Sequence, residues 1–67
     1  MKIKEFRQAR GMTQQDLADA VHVTKGAVCM WERGMRIPEV STLMALADVF
    51  GVSLDTLVGR TPPEAAS

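Results

Sequence analysis

The sequence predicts an all-α domain built around a helix-turn-helix. Three observations carry that reading. Apolar residues recur at helical spacing in five short stretches. Each stretch opens on a hydroxyl residue or closes on a glycine. No stretch sustains the period of two that a half-buried strand needs.

The first segment runs from about Ile3 to Arg10, with Ile3, Phe6 and Arg10 on one face, and Gly11 ends it. The second opens at Thr13, where Thr13-Gln-Gln-Asp16 has the form of a capping box, and turns Leu17, Ala18 and Val21 inward. The third opens at Thr24 and runs to Arg33 before Gly34, with Val28 and Trp31 inward and Ala27 beside them. Pro38 breaks the chain after it. The fourth covers Val40 to Phe50 and stops at Gly51; Val40, Leu43, Met44, Ala47 and Phe50 follow helical spacing. Ser53 caps a last short segment carrying Leu54, Leu57 and Val58. The expected core is Phe6, Leu17, Val28, Trp31, Leu43, Ala47 and Leu54. Residues 1–59 read as one domain, and 60–67, without periodic apolar positions, as a disordered tail.

At 67 residues there is room for one domain with a thin core. No apolar run is long enough to span a bilayer, and the opening residues lack the order of a secretory signal. One cysteine forms no internal disulfide, and one Cys with one His builds no zinc cluster. The expected setting is the cytoplasm, with no membrane contact, no metal and no cofactor. Net charge is zero but divided: residues 1–36 carry seven cations against four acids, whereas residues 37–67 carry Arg60 against four acids. A basic half facing phosphates and an acidic half facing away fits that division.

The informative stretch is Gln14 to Gly34. Two short helices flank Val21-His22-Val23, a turn length that sets them at a steep angle, and small Ala18 lets the backbones approach. The outward face of the second helix is then Thr24, Lys25, Gly26, Cys29, Met30 and Arg33. A rigid helix presented this way matches the major groove of duplex DNA.

The run from Met12 to Gly34, with Arg36-Ile-Pro38 and Gly51-Val-Ser-Leu54 after it, resembles the phage repressor/Cro-type helix-turn-helix family, also called the XRE family. The resemblance covers about residues 3–58. It implies a five-helix, lambda-repressor-like bundle that binds double-stranded DNA, works as a homodimer on a two-fold symmetric operator and regulates transcription, as a repressor. By matching position it puts Gln14 on the DNA backbone, Lys25, Gly26 and Met30 at base-reading positions, and Arg33 and Arg36 on phosphates. It also pairs Arg7 with Glu32. Where the family carries Gly in the turn, this sequence has His22, a residue type that visits left-handed backbone more often than most. Small Gly26 and Ala27 let the helix sit close, with Ala27 or Met30 against thymine methyls; with few hydrogen-bonding groups there, either direct readout is sparse or part of the specificity comes from DNA shape. The expected dimer surface is the apolar region of Val52, Leu54, Leu57 and Val58.

Duller roles stand beside these. Lys25, Arg33 and Arg36 are otherwise solvated charges. Cys29 reads as a small neutral side chain rather than a redox sensor, His22 as a turn residue rather than a pH switch, and Trp31 as core rather than a base-stacking ring. One His and one Cys, with no phosphate-cradling loop, give no catalytic constellation, so no enzyme is expected. With no ligand-binding domain expected after residue 58, control would be by concentration, partner or degradation. The alternative function is a protein-interaction module on the same fold, such as the antitoxin of a toxin–antitoxin pair, with DNA binding secondary or absent.

Overall fold

The hydroxyl and glycine signals become real helix ends. A computed structural model describes residues 1–59 and contains α1 (Ile3–Ala9), α2 (Gln14–Ala20), α3 (Lys25–Glu32), α4 (Val40–Phe50) and α5 (Leu54–Val58). No strand occurs among the described residues, and no helix there is long and apolar enough to cross a membrane. The expected tail, 60–67, lies outside the described residues.

Three N-caps work as their sequences imply. Thr13 and Asp16 form a reciprocal capping box, with the Thr13 hydroxyl accepting from the Asp16 N–H at 3.0 Å and the Asp16 carboxylate from the Thr13 N–H at 2.9 Å. Thr24 accepts from the Ala27 N–H and Ser53 from the Thr56 N–H, each at 3.1 Å. α4 ends at Gly51 in the left-handed conformation, φ +67°. A side chain there would be doubly unwelcome, because a Cβ would stand 3.1 Å from the Arg10 guanidinium.

The core consists of Ile3, Leu17, Ala18, Val21, Val28, Trp31, Leu46, Ala47, Phe50 and Leu57, with Phe6 and Leu43 half-buried against it. Trp31 is 9 % exposed, as its phase with Val28 requires. One expected core residue, Leu54, is not in the core, and the inward faces of α4 and α1 are sharper than their spacing shows. Leu54 is 42 % exposed, and Leu57, one turn away, is fully buried in its place. In α4, Val40 and Met44 are 70 % and 54 % exposed, and Leu46 is the fully buried residue. Eight of the eleven α4 residues are apolar, so apolar spacing alone does not single out one face. In α1, Ile3 is buried, Phe6 half-buried and Arg10 exposed, with Phe6 and Arg10 both turned to Phe50.

α1 acts as a strap. The Lys2 N–H donates to the Leu57 carbonyl at 3.0 Å, and the Arg10 guanidinium donates to the Phe50 carbonyl at 2.8 Å. The second contact places a cation at the negative end of α4. Phe6 stacks on Phe50 between these anchors, ring centroids 5.7 Å apart.

The two α5 leucines separate the observed packing from the expected one. Leu57→Ala should cost about 2–5 kcal/mol by urea denaturation, as for a fully buried leucine, and Leu54→Ala less than about 1 kcal/mol. Equal costs would contradict this placement.

Candidate nucleic-acid interface

The turn between α2 and α3 fixes how α3 is presented. The Val21 and Val23 N–H groups close back onto the Leu17 and Ala18 carbonyls at 3.1 and 2.9 Å. His22 between them takes φ +60°, the left-handed conformation that its place in the turn demands. Val23 tucks against the core, while buried Val28 and Trp31 lock the inner face of α3. Thr24, Lys25, Gly26, Met30 and Arg33 consequently lie exposed on the other side, and Cys29 is half-buried. Ala27, expected on the reading face, is half-buried against the core.

Gly26 is informative. A Cβ built on it would meet nothing closer than the Thr24 hydroxyl at 3.8 Å, so the interior does not require a glycine there. Glycine in a helix costs about 1 kcal/mol relative to alanine. No contact within the described residues accounts for the glycine.

Beyond α3 the chain closes on itself, with the Met35 N–H donating to the Met30 carbonyl at 2.9 Å, and then presents exposed Arg36. A shallow cleft of about 570 Å³ runs beside α3, with His22, Ala27, Trp31, Arg36, Pro38 and Thr42 among its walls. Sequence spacing put Arg36 after α3 but gave no sign that His22 borders the same cleft.

The polar centre behind this face is the Arg7–Glu32 pair. Arg7 Nε donates to Glu32 Oε2 at 2.7 Å and Nη2 to Oε1 at 3.1 Å, a bidentate fork whose side chains are only 11 % and 5 % exposed. Arg7 Nη1 also donates to the Met12 carbonyl at 2.8 Å. Gln14, expected on the DNA backbone, is half-buried, and its Nε2 donates to Glu32 Oε1 at 3.2 Å. That hydrogen bond was not visible in the sequence; the closeness of the start of α2 to the end of α3 creates it.

Burial pushes the Glu32 carboxyl up, but the hydrogen bonds from Arg7 and Gln14 and the charges of Arg7 and Lys4 outweigh it, leaving the group below the ordinary carboxylate range. The hydrogen bond to Glu32 raises Arg7 against the opposing effect of burial. Backbone and side-chain hydrogen bonds from Thr13 lower Asp16.

A depressed folded-state carboxyl contributes stability that is fully present above its unfolded value, near pH 4.3, and lost as pH falls through the folded value. Glu32→Gln should therefore destabilise the domain by about 2–4 kcal/mol at pH 7. It should also flatten the loss of stability below about pH 4.5, leaving the part due to Asp16. Thermal melts of both proteins from pH 3 to 7 check this; parallel curves would count against it.

Comparison with known proteins agrees with this geometry. A family model described as helix-turn-helix matches residues 3–57. The chain is 34 % identical over 59 residues to the HTH-type transcriptional regulator ImmR of Bacillus subtilis, covering 88 % of this chain and 46 % of that protein. It is 32 % identical over 57 residues to the cryptic phage CTXphi transcriptional repressor RstR of Vibrio cholerae, covering 85 % and 51 % respectively. It is 35 % identical over 63 residues to the uncharacterized HTH-type transcriptional regulator YazB of Bacillus subtilis, covering 94 % and 87 %. The chain spans about half the length of most of the curated relatives it matches, and no solved structure gives a significant match. With five helices in the expected order and the family model covering nearly all of the described residues, the chain belongs to the repressor/Cro-type (XRE) helix-turn-helix family.

Proposed function

We propose that this chain is a sequence-specific duplex-DNA-binding transcriptional regulator, acting as a cytoplasmic repressor and not as an enzyme. The observation that carries the reading is the division of α3 into a locked inner face, Val28 and Trp31, and an exposed outer face with Lys25 and the sterically open Gly26. Thr24, Lys25, Gly26, Ala27 and Met30 meet the bases or the adjoining backbone, whereas Gln14, Arg33 and Arg36 meet phosphates. The name of the relative RstR supports repression as the sign of control.

The regulator works as a homodimer on a two-fold symmetric operator, with half-site centres about 34 Å apart. Leu54 and Val58, exposed one turn apart on α5, form its contact with help from half-buried Val52; fully buried Leu57 takes no part. A second reading, a protein-interaction module on the same fold, draws on one observation: Met35, Ile37, Val40 and Met44 are large, apolar and exposed.

Binding to selected and random duplexes over a salt series tests the first reading against the second. Lys25→Ala should cost about 1–3 kcal/mol on the selected site and much less on random DNA. Arg36→Ala should weaken both and lower the salt slope by about one. If neither variant alters binding, the protein-partner reading replaces this one.

Gly26→Ala gives an independent check, because its two effects should oppose each other. The domain should gain about 0.5–1 kcal/mol of stability while losing affinity for its selected site. A stabilised variant with unchanged affinity would remove Gly26 from the interface.

A further inference from the structure

Glu32 has a carboxylate that serves two partners. Oε2 accepts from Arg7 Nε, while Oε1 accepts from both Arg7 Nη2 and Gln14 Nε2. We propose that Glu32 is a positioning residue for DNA binding: by holding the Gln14 carboxamide nitrogen-inward, it leaves the second N–H of that nitrogen as the donor presented to a phosphate. This rests on the DNA-binding reading above and adds to it a residue that touches no DNA.

The reasoning starts from what each group is able to do. An ionised carboxylate only accepts hydrogen bonds, so only the nitrogen end of Gln14 satisfies Glu32. A primary amide nitrogen carries two N–H donors, and Glu32 occupies one. Turned the other way, the amide would set its carbonyl oxygen against the carboxylate. A glutamine without such a partner samples many rotamers and loses that freedom when it binds. Here the ordering precedes the ligand. Half-burial of Gln14 fits a side chain anchored at one edge and accessible at another.

Arg7 makes the arrangement compatible with an anion. A bare carboxylate beside a phosphate would repel it, but the bidentate fork from Arg7 balances the Glu32 charge where the two side chains meet. The Arg7 link to the Met12 carbonyl also holds the chain just before α2, so the backbone carrying Gln14 is fixed to the same guanidinium.

The test is a double-mutant cycle on duplex affinity with wild type, Gln14→Ala, Glu32→Gln and the double variant. The folded fraction of each is measured by circular dichroism at the assay temperature, and affinities are corrected for it. Gln14→Ala should weaken binding about 3–10-fold on selected and random duplexes alike, the worth of one hydrogen bond to phosphate. Glu32→Gln should weaken it similarly, with no further loss when added to Gln14→Ala. Losses that multiply would overturn the proposal, since Glu32 would then act independently of Gln14. Wild type that binds neither duplex would sink the DNA-binding reading itself, and this inference with it.

A second measurement needs no destabilised variant. Relaxation of the Gln14 side-chain amide in wild type without DNA should give an order parameter near that of rigid backbone, about 0.85. An amide as mobile as a free surface glutamine would overturn the proposal as well.

Discussion

A single guanidinium organises the helix-turn-helix half of the molecule. Arg7 on α1 grips Glu32 at the end of α3 with two parallel hydrogen bonds and the Met12 carbonyl before α2 with a third. Glu32 sits where an anion is least welcome, at the negative end of its own helix, so the fork from Arg7 offsets an unfavourable placement as well as a buried charge. An apolar pair of equal volume would hold the helices together as well in energy. It would not define direction, whereas a planar fork on a carboxylate accepts one approach geometry. The fork ties α1 to the end of α3, and through Glu32 the same cluster reaches Gln14 at the start of α2.

The helix-turn-helix divides its labour by face. Ala18, Val21, Val28 and Trp31 do the packing, while Lys25, Gly26 and Met30 are free of internal duties. Low helix propensity at Gly26 is tolerated because Thr24 caps the same turn and the inner face anchors the next two. The chain thus accepts a local weakness on the exposed face of α3.

What the sequence revealed followed from how local each signal was. Thr13-x-x-Asp16, Thr24, Ser53 and Gly51 act within one turn of themselves, so their caps were legible, whereas the left-handed turn at His22 came from the family resemblance. Trp31 was placed by its phase with Val28. The Arg7–Glu32 pair came from family resemblance, and the coordinates bear it out. The orientation of α4 and the choice between Leu54 and Leu57 were not legible: an almost wholly apolar helix and a one-turn helix carry too little contrast, and tertiary packing decides which residue is covered. The bonds from Arg10 to Phe50 and from Gln14 to Glu32 join residues 40 and 18 positions apart, through long side chains whose partners depend on the finished fold. Among the proposed contact residues, exposure agrees with the sequence at Lys25, Gly26, Met30, Arg33 and Arg36, and packing reaches further outward than expected at Ala27.

The strap formed by α1 has a topological meaning. Because the Lys2 N–H meets the Leu57 carbonyl, the residue that opens α1 lies against α5, and the two ends of the described chain are neighbours. The α2–α3 hairpin can assemble from local contacts, but that joint must gather nearly the whole described chain into one loop, where the entropy of closure is greatest. It is made by one backbone hydrogen bond, backed by the Arg10 anchor and the Phe6–Phe50 stack further along α1. Ends that meet allow another chain order: a circular permutant joined near Lys2 and Leu57, and opened in the exposed stretch 33–37 between α3 and α4, would retain the same helix neighbours.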